Sequence, residues 1–254
     1  MTRLPSLLAA AASTLLLVTA WPAGAAPAGA IKNIVLVHGA FVDGSGWNAI
    51  ARILRKDGYT VSIVQEPETS FADDVAATNR IIDRQDGPVV LVGHSYGGMI
   101  ITEAGNNPLV QRLVYVAAFQ PDVGESLAKL GASMPPASKA VAPSKDGFLF
   151  IDPAAFHADF AADLPKAEAE LMAASQLPVS LGAATAEIVT PAWKSKPSYA
   201  IVATQDRSIN PDLERSMYKR SGATTVELKG SHAIYISQPK AVAEVIEQAA
   251  SAKP

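Results

Sequence analysis

The feature that most constrains this chain is an apolar run that leads directly into a glycine–serine–glycine turn. Residues 89–92 read Val-Val-Leu-Val, which is typical of a strand buried on both faces. Gly93-His94-Ser95-Tyr96-Gly97 follows, and residues 99–104 have the composition of a helix. This strand–turn–helix context is typical of a nucleophilic serine in a strained backbone, with Gly93 and Gly97 avoiding collisions with it. Ser95 is therefore a candidate nucleophile, and the alternative is a solvated serine in a glycine-rich turn.

The first 25 residues have the three parts of a secretory signal peptide. Arg3 is positively charged, residues 7–20 are apolar and uncharged, and Ala23-Gly24-Ala25 is a small-residue cleavage site. The apolar run is shorter than the ~20 residues that a membrane-spanning helix needs. A membrane anchor or a native N-terminal helix is the alternative. We expect cleavage after residue 25, a periplasmic or secreted protein, and no stable membrane anchor afterwards.

Composition excludes several kinds of site. The net charge is −3 and no long run of Lys or Arg occurs, so we expect no nucleic-acid partner. The chain has no cysteine, which excludes disulfides, thiolate metal sites and a cysteine nucleophile. No His, Asp or Glu cluster has metal-ligand spacing, so we expect no metal.

Strand and helix patterns alternate along most of the chain. Apolar, β-branched runs predict strands at 31–37, 60–64, 89–92, 113–118, 198–203 and 224–228. Helical patterns lie between and after them, at 47–56, 70–83, 99–104 and 241–250, and a further helix starts at Asn210-Pro211. Ser45, Ser70 and Asn210 are candidate caps, and Pro211 is a first helical residue. This alternation predicts an α/β fold with a mostly parallel, doubly wound sheet and helices on both faces.

The alternation lapses between about residues 121 and 193. This stretch is rich in Ala, Pro and Ser, with short helical patterns at 153–163 and 166–175 but no clear strand. Its aromatic residues argue against disorder. We therefore predict one domain, residues 31–254, with a small helical cap inserted at about 121–193 above the carboxyl ends of the strands.

A serine hydroxyl needs a base within hydrogen-bonding distance, and the chain has four histidines. His38 follows the first strand, His94 should point away from the reacting side, and His157 reads as a solvated histidine of a cap helix. His232 follows the last strand, at the edge of the sheet that presents Ser95. His232 is therefore the candidate general base, and a structural histidine is the alternative.

The base in turn needs an acid to orient it. Asp206 ends the strand before that of His232, where its carboxylate can reach the imidazole. Asp122 is a rival at another strand end, whereas Asp212 occupies a first helical turn, where the helix dipole already explains an acid. The preferred order Ser95, Asp206, His232 is the serine–acid–histidine order expected for this turn.

Backbone amides that could hold an oxyanion lie in two places. One is the N–H of Tyr96, directly after the serine, and the other belongs to the loop after the first strand. His38-Gly39-Ala40 allows close backbone approach there, so we choose Ala40, with Phe41 as the alternative.

Residues 44–49, Gly-Ser-Gly-Trp-Asn-Ala, match a dinucleotide-binding pattern, and Glu66 lies at the expected distance for a ribose contact. The first glycine of such a pattern should follow its strand directly. Here residues 38–43 intervene, so we expect no nucleotide cofactor and assign Trp47 to packing.

Residues 35–41, Val-Leu-Val-His-Gly-Ala-Phe, and 92–99, Val-Gly-His-Ser-Tyr-Gly-Gly-Met, together with Asp206 and His232, resemble the α/β-hydrolase superfamily. The short cap and the His-Gly-Ala loop look most like plant methyl-ester esterases and hydroxynitrile lyases and the bacterial esterases similar to them. The resemblance implies an α/β-hydrolase fold and a serine esterase without a cofactor, whose cap shapes an apolar pocket.

Two departures narrow the resemblance. The lyase members carry a lysine after the catalytic histidine and a threonine after the first-strand histidine, where this chain has Ala233 and Gly39. Dehalogenase and epoxide-hydrolase members carry an aspartate nucleophile, where this chain has Ser95. Neither cyanohydrin cleavage nor those two reactions is expected.

The resulting hypothesis is an exported hydrolase of small, fairly apolar carboxylic esters. Phe41, Phe119 and Trp193 are the candidate pocket residues. The alternatives are a ligand-binding receptor or signalling protein of the same fold with vestigial hydrolysis, and a cofactor-free perhydrolase.

Overall fold

The computed structural model describes residues 26–27 and 29–252, so the predicted signal peptide lies outside the described residues. Within the described residues the central sheet has six strands: β1 Asn33–Val37, β2 Thr60–Ile63, β3 Val89–Ser95, β4 Val110–Ala118, β8 Ser198–Ala203 and β9 Thr224–Leu228. All neighbours are paired in parallel, in the order β2-β1-β3-β4-β8-β9. The predicted α/β class and parallel sheet are confirmed.

Ten α-helices lie among the described residues. Those flanking the sheet are α1 Asn48–Lys56, α2 Phe71–Ile82, α3 Gly97–Ala104, α8 Pro211–Ser221 and α10 Pro239–Ser251. Shorter helices are α4 Leu127–Ser133, α5 Pro153–Asp159, α6 Lys166–Ala174, α7 Leu181–Thr185 and α9 Ile234–Ser237. None of the helices in the described part of the chain is long and apolar enough to cross a membrane.

Alternate residues of β3 belong to different layers of the core. Leu91 packs in a cluster with side chains of α2, α3 and α8, whereas Val90 and Val92 pack with those of α1 and α10. Because both faces are covered, every residue of β3 is buried. This explains why the strand reads as continuously apolar rather than alternating.

The predicted starts of two helices are confirmed. The Ser70 hydroxyl accepts a hydrogen bond from the Asp73 amide at the start of α2, and Asn210 accepts one from the Asp212 amide at the start of α8. The prediction for Ser45 is wrong. Asp43 accepts from the Ser45 amide and opens a 3₁₀ turn, Gly44–Trp47, which continues into α1.

The residues between β4 and β8 form the cap, which differs from the purely helical prediction. The cap contains α4 to α7 and a three-stranded antiparallel sheet of β5 Val141–Pro143, β6 Phe148–Ile151 and β7 Val179–Ser180. These strands have only two to four residues and β5 is wholly exposed. Strands this short do not establish an alternating pattern, so they cannot be recognised from the order of apolar and polar residues.

Candidate active site

Ser95 lies at the end of β3 in a strained turn. Its φ angle is 52°, in the left-handed region that non-glycine residues rarely adopt. The flanking residues Gly93 and Gly97 must be glycine because backbone atoms of other residues approach them closely. The predicted collision with Ser95 is not the reason. A Cβ atom on Gly93 would lie 2.6 Å from the Gly97 carbonyl oxygen, and one on Gly97 would lie 2.3 Å from that of His38.

Three side chains from different strand ends form a continuous hydrogen-bonded chain. The Ser95 hydroxyl lies 2.8 Å from His232 Nε2, and His232 Nδ1 lies 2.5 Å from Asp206 Oδ2. With Nδ1 donating to the carboxylate, Nε2 is the acceptor that faces the serine. The structure therefore brings together the three side chains that the sequence singles out, with His232 Nε2 directed at the Ser95 hydroxyl.

Asp206 is fixed by its own turn. Its Oδ1 atom accepts hydrogen bonds from the amides of Ser208 at 2.7 Å and Ile209 at 2.9 Å, and the side chain is buried. The two rival acids are engaged elsewhere. Asp122 pairs with Lys194, and Asp212 pairs with Arg215 at the surface.

His94 supports the base from behind. Its Nε2 atom donates to the His232 carbonyl oxygen at 2.9 Å, and its ring lies 4.7 Å from that of His232 and 4.2 Å from that of Tyr235. Burial, reinforced by the neighbouring His232, holds the pKa of His94 well below its usual value. The sequence indicated that His94 points away from the reacting side but not that it holds the base. His157 lies on α5 and bonds to the Leu164 carbonyl.

The loop that carries His232 is also tied to the cap. Asp163 accepts from the Ser231 amide at 2.9 Å and from the Ser231 hydroxyl, while the Phe160 carbonyl accepts from the Ala233 amide at 3.0 Å. The residues on both sides of the base are thus held by the cap. Sequence reasoning missed Asp163 because a single acid in a cap loop has no distinctive signal.

Two backbone amides are available beside Ser95. Among the described residues, neither the Ala40 nor the Tyr96 amide donates to a protein acceptor. The Phe41 amide donates to the Leu177 carbonyl at 3.1 Å, so it is occupied. The geometry favours Ala40 over Phe41 as the partner of Tyr96 in an oxyanion site.

Beneath these amides lies a buried acidic cluster, comprising His38, Glu66, Glu68, Asp74 and Tyr96. The Tyr96 hydroxyl donates to Asp74 Oδ2 at 2.7 Å, and the Glu68 amide donates to Asp74 Oδ1 at 2.8 Å. Burial, reinforced by Glu66 and Asp74, raises the pKa of Glu68 to about 10. Burial also raises the pKa of Asp74. The cluster connects the side chain of Tyr96, a candidate oxyanion residue, to the loop that follows β2.

The dinucleotide-like pattern is used for packing. Its glycines lie in the 3₁₀ turn, Trp47 is fully buried with its ring 4.7 Å from that of Tyr235, and Glu66 is buried against His38. No cluster of three or more His, Asp or Glu side chains within residues 26–27 and 29–252 is arranged to hold a metal ion.

A cavity of about 240 Å³ opens above Ser95 and His232. Its walls are mainly apolar and come from both the core and the cap, including Phe41, Phe119, Leu127, Met134, Leu149, Val179 and Leu213. Phe41 and Phe119, two of the three candidate pocket residues, thus line this cavity. A second cavity of about 300 Å³, between residues 42–52 and α6, contains none of the three hydrogen-bonded residues.

Trp193 does not line the cavity above Ser95, which corrects the prediction. Its indole Nε1 donates to the Pro121 carbonyl at 2.7 Å, and its ring lies beside the cations of Lys194 and Arg220. These contacts place it where the chain leaves and re-enters the central sheet. An aromatic residue in an inserted segment indicates packing, but not which side of the segment it packs on.

Comparison with known proteins places this geometry in a family. Residues 34–245 match the model of the alpha/beta hydrolase family. Over 122 residues the chain is 37% identical to the carbendazim hydrolyzing esterase of Nocardioides sp. (strain SG-4G), covering 42% of this chain and 50% of that protein. The match thus spans half the length of that relative. Over 244 residues the chain is 26% identical to the alpha/beta hydrolase nvfD of Aspergillus novofumigatus (strain IBT 16806), covering 85% of this chain and 96% of the relative.

Solved structures share the fold. A pyrethroid hydrolase from Sphingobium faniae JZ-2 has a TM-score of 0.74 at 23% identity, covering 87% of this chain and 98% of that one. An extracellular alpha/beta-hydrolase from a Paenibacillus species, described as sharing structural and functional homology with tobacco salicylic acid binding protein 2, has a TM-score of 0.74 at 21% identity, covering 87% and 100%. Since the family model matches most of its length, the chain belongs to the alpha/beta hydrolase family.

Proposed function

We propose that this protein is an exported serine hydrolase that cleaves carboxylic esters of small, fairly apolar substrates. The observation that carries the proposal is the hydrogen-bonded chain from Ser95 through His232 to Asp206 at the base of an apolar cavity. The esterase and hydrolase activities named for its relatives support the same chemistry.

In the proposed reaction, Ser95 Oγ attacks the ester carbonyl carbon as His232 Nε2 takes the hydroxyl proton. The carbonyl oxygen becomes an oxyanion, which the Ala40 and Tyr96 amides stabilise. The C–O bond to the alcohol then breaks, and His232 returns the proton to the leaving alcohol. A water molecule attacks the acyl-serine by the same route, with His232 as base, and releases the acid and free Ser95.

The cavity supports the substrate class. Its volume of about 240 Å³ is modest, and apolar side chains from core and cap enclose it. Ligand sites of this kind place a few polar groups against mainly apolar walls. Short or medium acyl chains and compact aryl alcohols fit this description, whereas charged or strongly hydrated esters do not.

Export is proposed from the composition of residues 1–25, and the extracellular relative supports it. Expression of the full chain in a bacterial host, followed by intact mass and N-terminal sequencing of the exported fraction, tests it. A mature protein that begins at Ala26 supports the proposal. Accumulation of the uncleaved chain with the membranes contradicts it.

The catalytic proposal is tested with Ser95→Ala and p-nitrophenyl acetate and butyrate. We expect loss of turnover by at least about three orders of magnitude, because the nucleophile is removed. Ser45→Ala, which changes an exposed serine outside the site, is the matched control and should retain activity. Substantial turnover by a correctly folded Ser95→Ala protein would refute the assignment.

A fluorophosphonate reagent separates the proposed enzyme from a ligand receptor of the same fold. Labelling of the wild type but not of Ser95→Ala, combined with many turnovers of ester per molecule, supports the enzyme. Labelling combined with a single slow turnover favours the receptor.

A further inference from the structure

A second carboxyl group lies buried directly behind the acid of the candidate triad. Glu214 is in the first turns of α8 and is fully buried. Its Oε2 atom accepts a hydrogen bond from the amide of Ala203, the last residue of β8, at 3.2 Å. The Asp206 amide donates to the carbonyl oxygen of the same Ala203 at 3.0 Å, which brings Asp206 and Glu214 to one turn, where their carboxyl groups interact. The mechanism above assigns no role to this group.

We propose that Glu214 is a positioning residue that stays protonated and donates a hydrogen bond to Asp206. The inference rests on the proposed hydrolase, because Asp206 orients the base of that reaction. It extends the hydrogen-bonded chain from three side chains to four. Glu214 touches neither the substrate nor the reacting atoms and acts only through Asp206.

The acceptor capacity of Asp206 leaves room for this bond. An ionised carboxylate has about four acceptor positions. Asp206 uses two on Oδ1, for the amides of Ser208 and Ile209, and one on Oδ2, for His232. Every one of these partners is a donor, which identifies Asp206 as the ionised member of the pair.

The hydrogen bonding of Glu214 fits a neutral acid. A protonated carboxyl group has one oxygen that accepts and one that donates. Oε2 is the accepting oxygen, whereas Oε1 is buried and has no other protein partner among the described residues. Burial, together with the adjacent charge of Asp206, raises the pKa of Glu214 well above its usual value. Two ionised carboxylates in contact would repel each other strongly at this depth.

The charged and titratable groups that the described residues place around this pair all bond elsewhere or approach it from the other side. Tyr218, on the same helix, donates its hydroxyl proton to the Ala118 carbonyl at 2.8 Å. Arg215 is at the surface, where it bonds to Glu227 and Asp212. His232 approaches Asp206 from the side of the cavity. A proton on Glu214 therefore removes one of the two negative charges, and this allows both carboxyl groups to be buried side by side.

The donated bond has a consequence for the base. It withdraws charge from Asp206 and fixes the rotation of the carboxylate. Without it, Asp206 stabilises protonated His232 more strongly, and the base is lost to protonation at a higher pH. The acid side of the pH–activity profile therefore reports the presence of Glu214.

The first test does not use activity. The infrared difference spectrum between wild type and Glu214→Gln at pH 7 should show the C=O band of one protonated carboxylic acid, present only in the wild type. A difference spectrum with carboxylate bands instead would overturn the proposal. This measurement stands even if the protein hydrolyses no ester, so failure of the proposed function is distinguished from failure of this inference.

The second test uses kcat/KM for p-nitrophenyl butyrate against pH. A glutamine amide can accept from Ala203 and donate to Asp206. Glu214→Gln should therefore keep most of the activity, and the fall of kcat/KM on the acid side of the profile (the acid limb) should stay at the same pH. Glu214→Leu lacks the donor, so kcat/KM should fall about tenfold and the acid limb should move up by about one pH unit. Met217→Ala, a buried change one turn along the same helix, controls for lost packing and should leave the limb in place. If Glu214→Leu leaves the limb in place too, Glu214 is only structural and the proposal fails.

Discussion

Asp163 of the cap accepts hydrogen bonds from both the backbone amide and the hydroxyl of Ser231, the residue immediately before His232. Ser237, which follows in α9, also donates to Asp163, at 2.8 Å. A single cap carboxylate therefore holds the loop that carries the candidate base. The cap therefore contributes walls to the cavity and also positions the candidate base at the bottom of it.

Replacement of Asp163 by alanine should lower kcat/KM for p-nitrophenyl butyrate by about tenfold, because the loop of His232 loses its anchor. The unfolding free energy should fall by about 1–3 kcal/mol, since three hydrogen bonds to one carboxylate are lost. Thermal unfolding and steady-state kinetics measure the two effects. Asp146→Ala is the control, because Asp146 is an exposed cap residue that bonds to Ser144. Equal activity of the two variants would contradict this account.

Gly39 should tolerate no side chain. A Cβ atom there would lie 2.6 Å from Ser95 Cβ and 2.9 Å from His94 Nδ1, so the Ala40 amide must move to accommodate it. We expect Gly39→Ala to reduce kcat by about 100-fold, comparable with loss of one oxyanion donor. Gly182→Ala is the matched control. It changes a helical glycine whose added Cβ would meet nothing closer than Ser180 Oγ at 3.8 Å, and should gain about 0.4–1 kcal/mol of stability without loss of activity.

Glu68 should make stability depend on pH. Its folded pKa of about 10 lies far above its usual value of 4.5. Between these values the unfolded chain releases a proton that the folded protein keeps, so this group lowers stability as the pH rises. Glu68→Gln removes the ionisation. The Tm of Glu68→Gln relative to wild type should therefore increase steadily from pH 5 to pH 9.

Thermal scans across that pH range measure the trend, and Glu170→Gln is the control. Glu170 is an exposed helical residue whose side chain keeps 63% of its accessible surface, so its replacement should change Tm little at any pH. A constant offset between Glu68→Gln and wild type would show that Glu68 ionises normally in the folded protein.

The cap strand β6 should influence which esters are accepted. Leu149 lies on this strand and contributes to the cavity wall. Leu149→Trp reduces the available volume, so kcat/KM should fall progressively along a p-nitrophenyl ester series from acetate to octanoate. Leu171→Trp adds the same side chain to an exposed position of α6 and should leave the chain-length preference unchanged. Identical preferences in the two variants would place the acyl group outside this cavity.

The scaffold of the site could be predicted because its signals are local. The serine follows a buried strand and is flanked by glycines, and the acid and the histidine follow later strands. The carboxyl ends of parallel strands lie at the same edge of the sheet, so these three residues meet there. The sequence therefore indicated Ser95, Asp206 and His232 without any knowledge of the distances between them.

Tertiary contacts hide the remaining features. Asp163 reads as an ordinary loop acid until the fold brings it to Ser231. Glu214 occupies the start of a helix, where the helix dipole already explains a carboxylate, so nothing in the pattern indicates that it is buried against Asp206. The strands of the cap are stabilised by pairing with one another rather than by alternation within each strand.

The separation of Ser95 from His232 has a consequence for folding. The two residues are 137 positions apart, and β9, which leads into the loop of His232, pairs only with β8 at the edge of the sheet. Contacts this distant in sequence form slowly, because the chain entropy of a long loop is lost before they stabilise anything. The serine turn and its neighbouring strands can form earlier. Recovery of esterase activity during refolding should therefore lag behind recovery of secondary structure. The appearance of activity then reports when the loop of His232 docks beside Ser95.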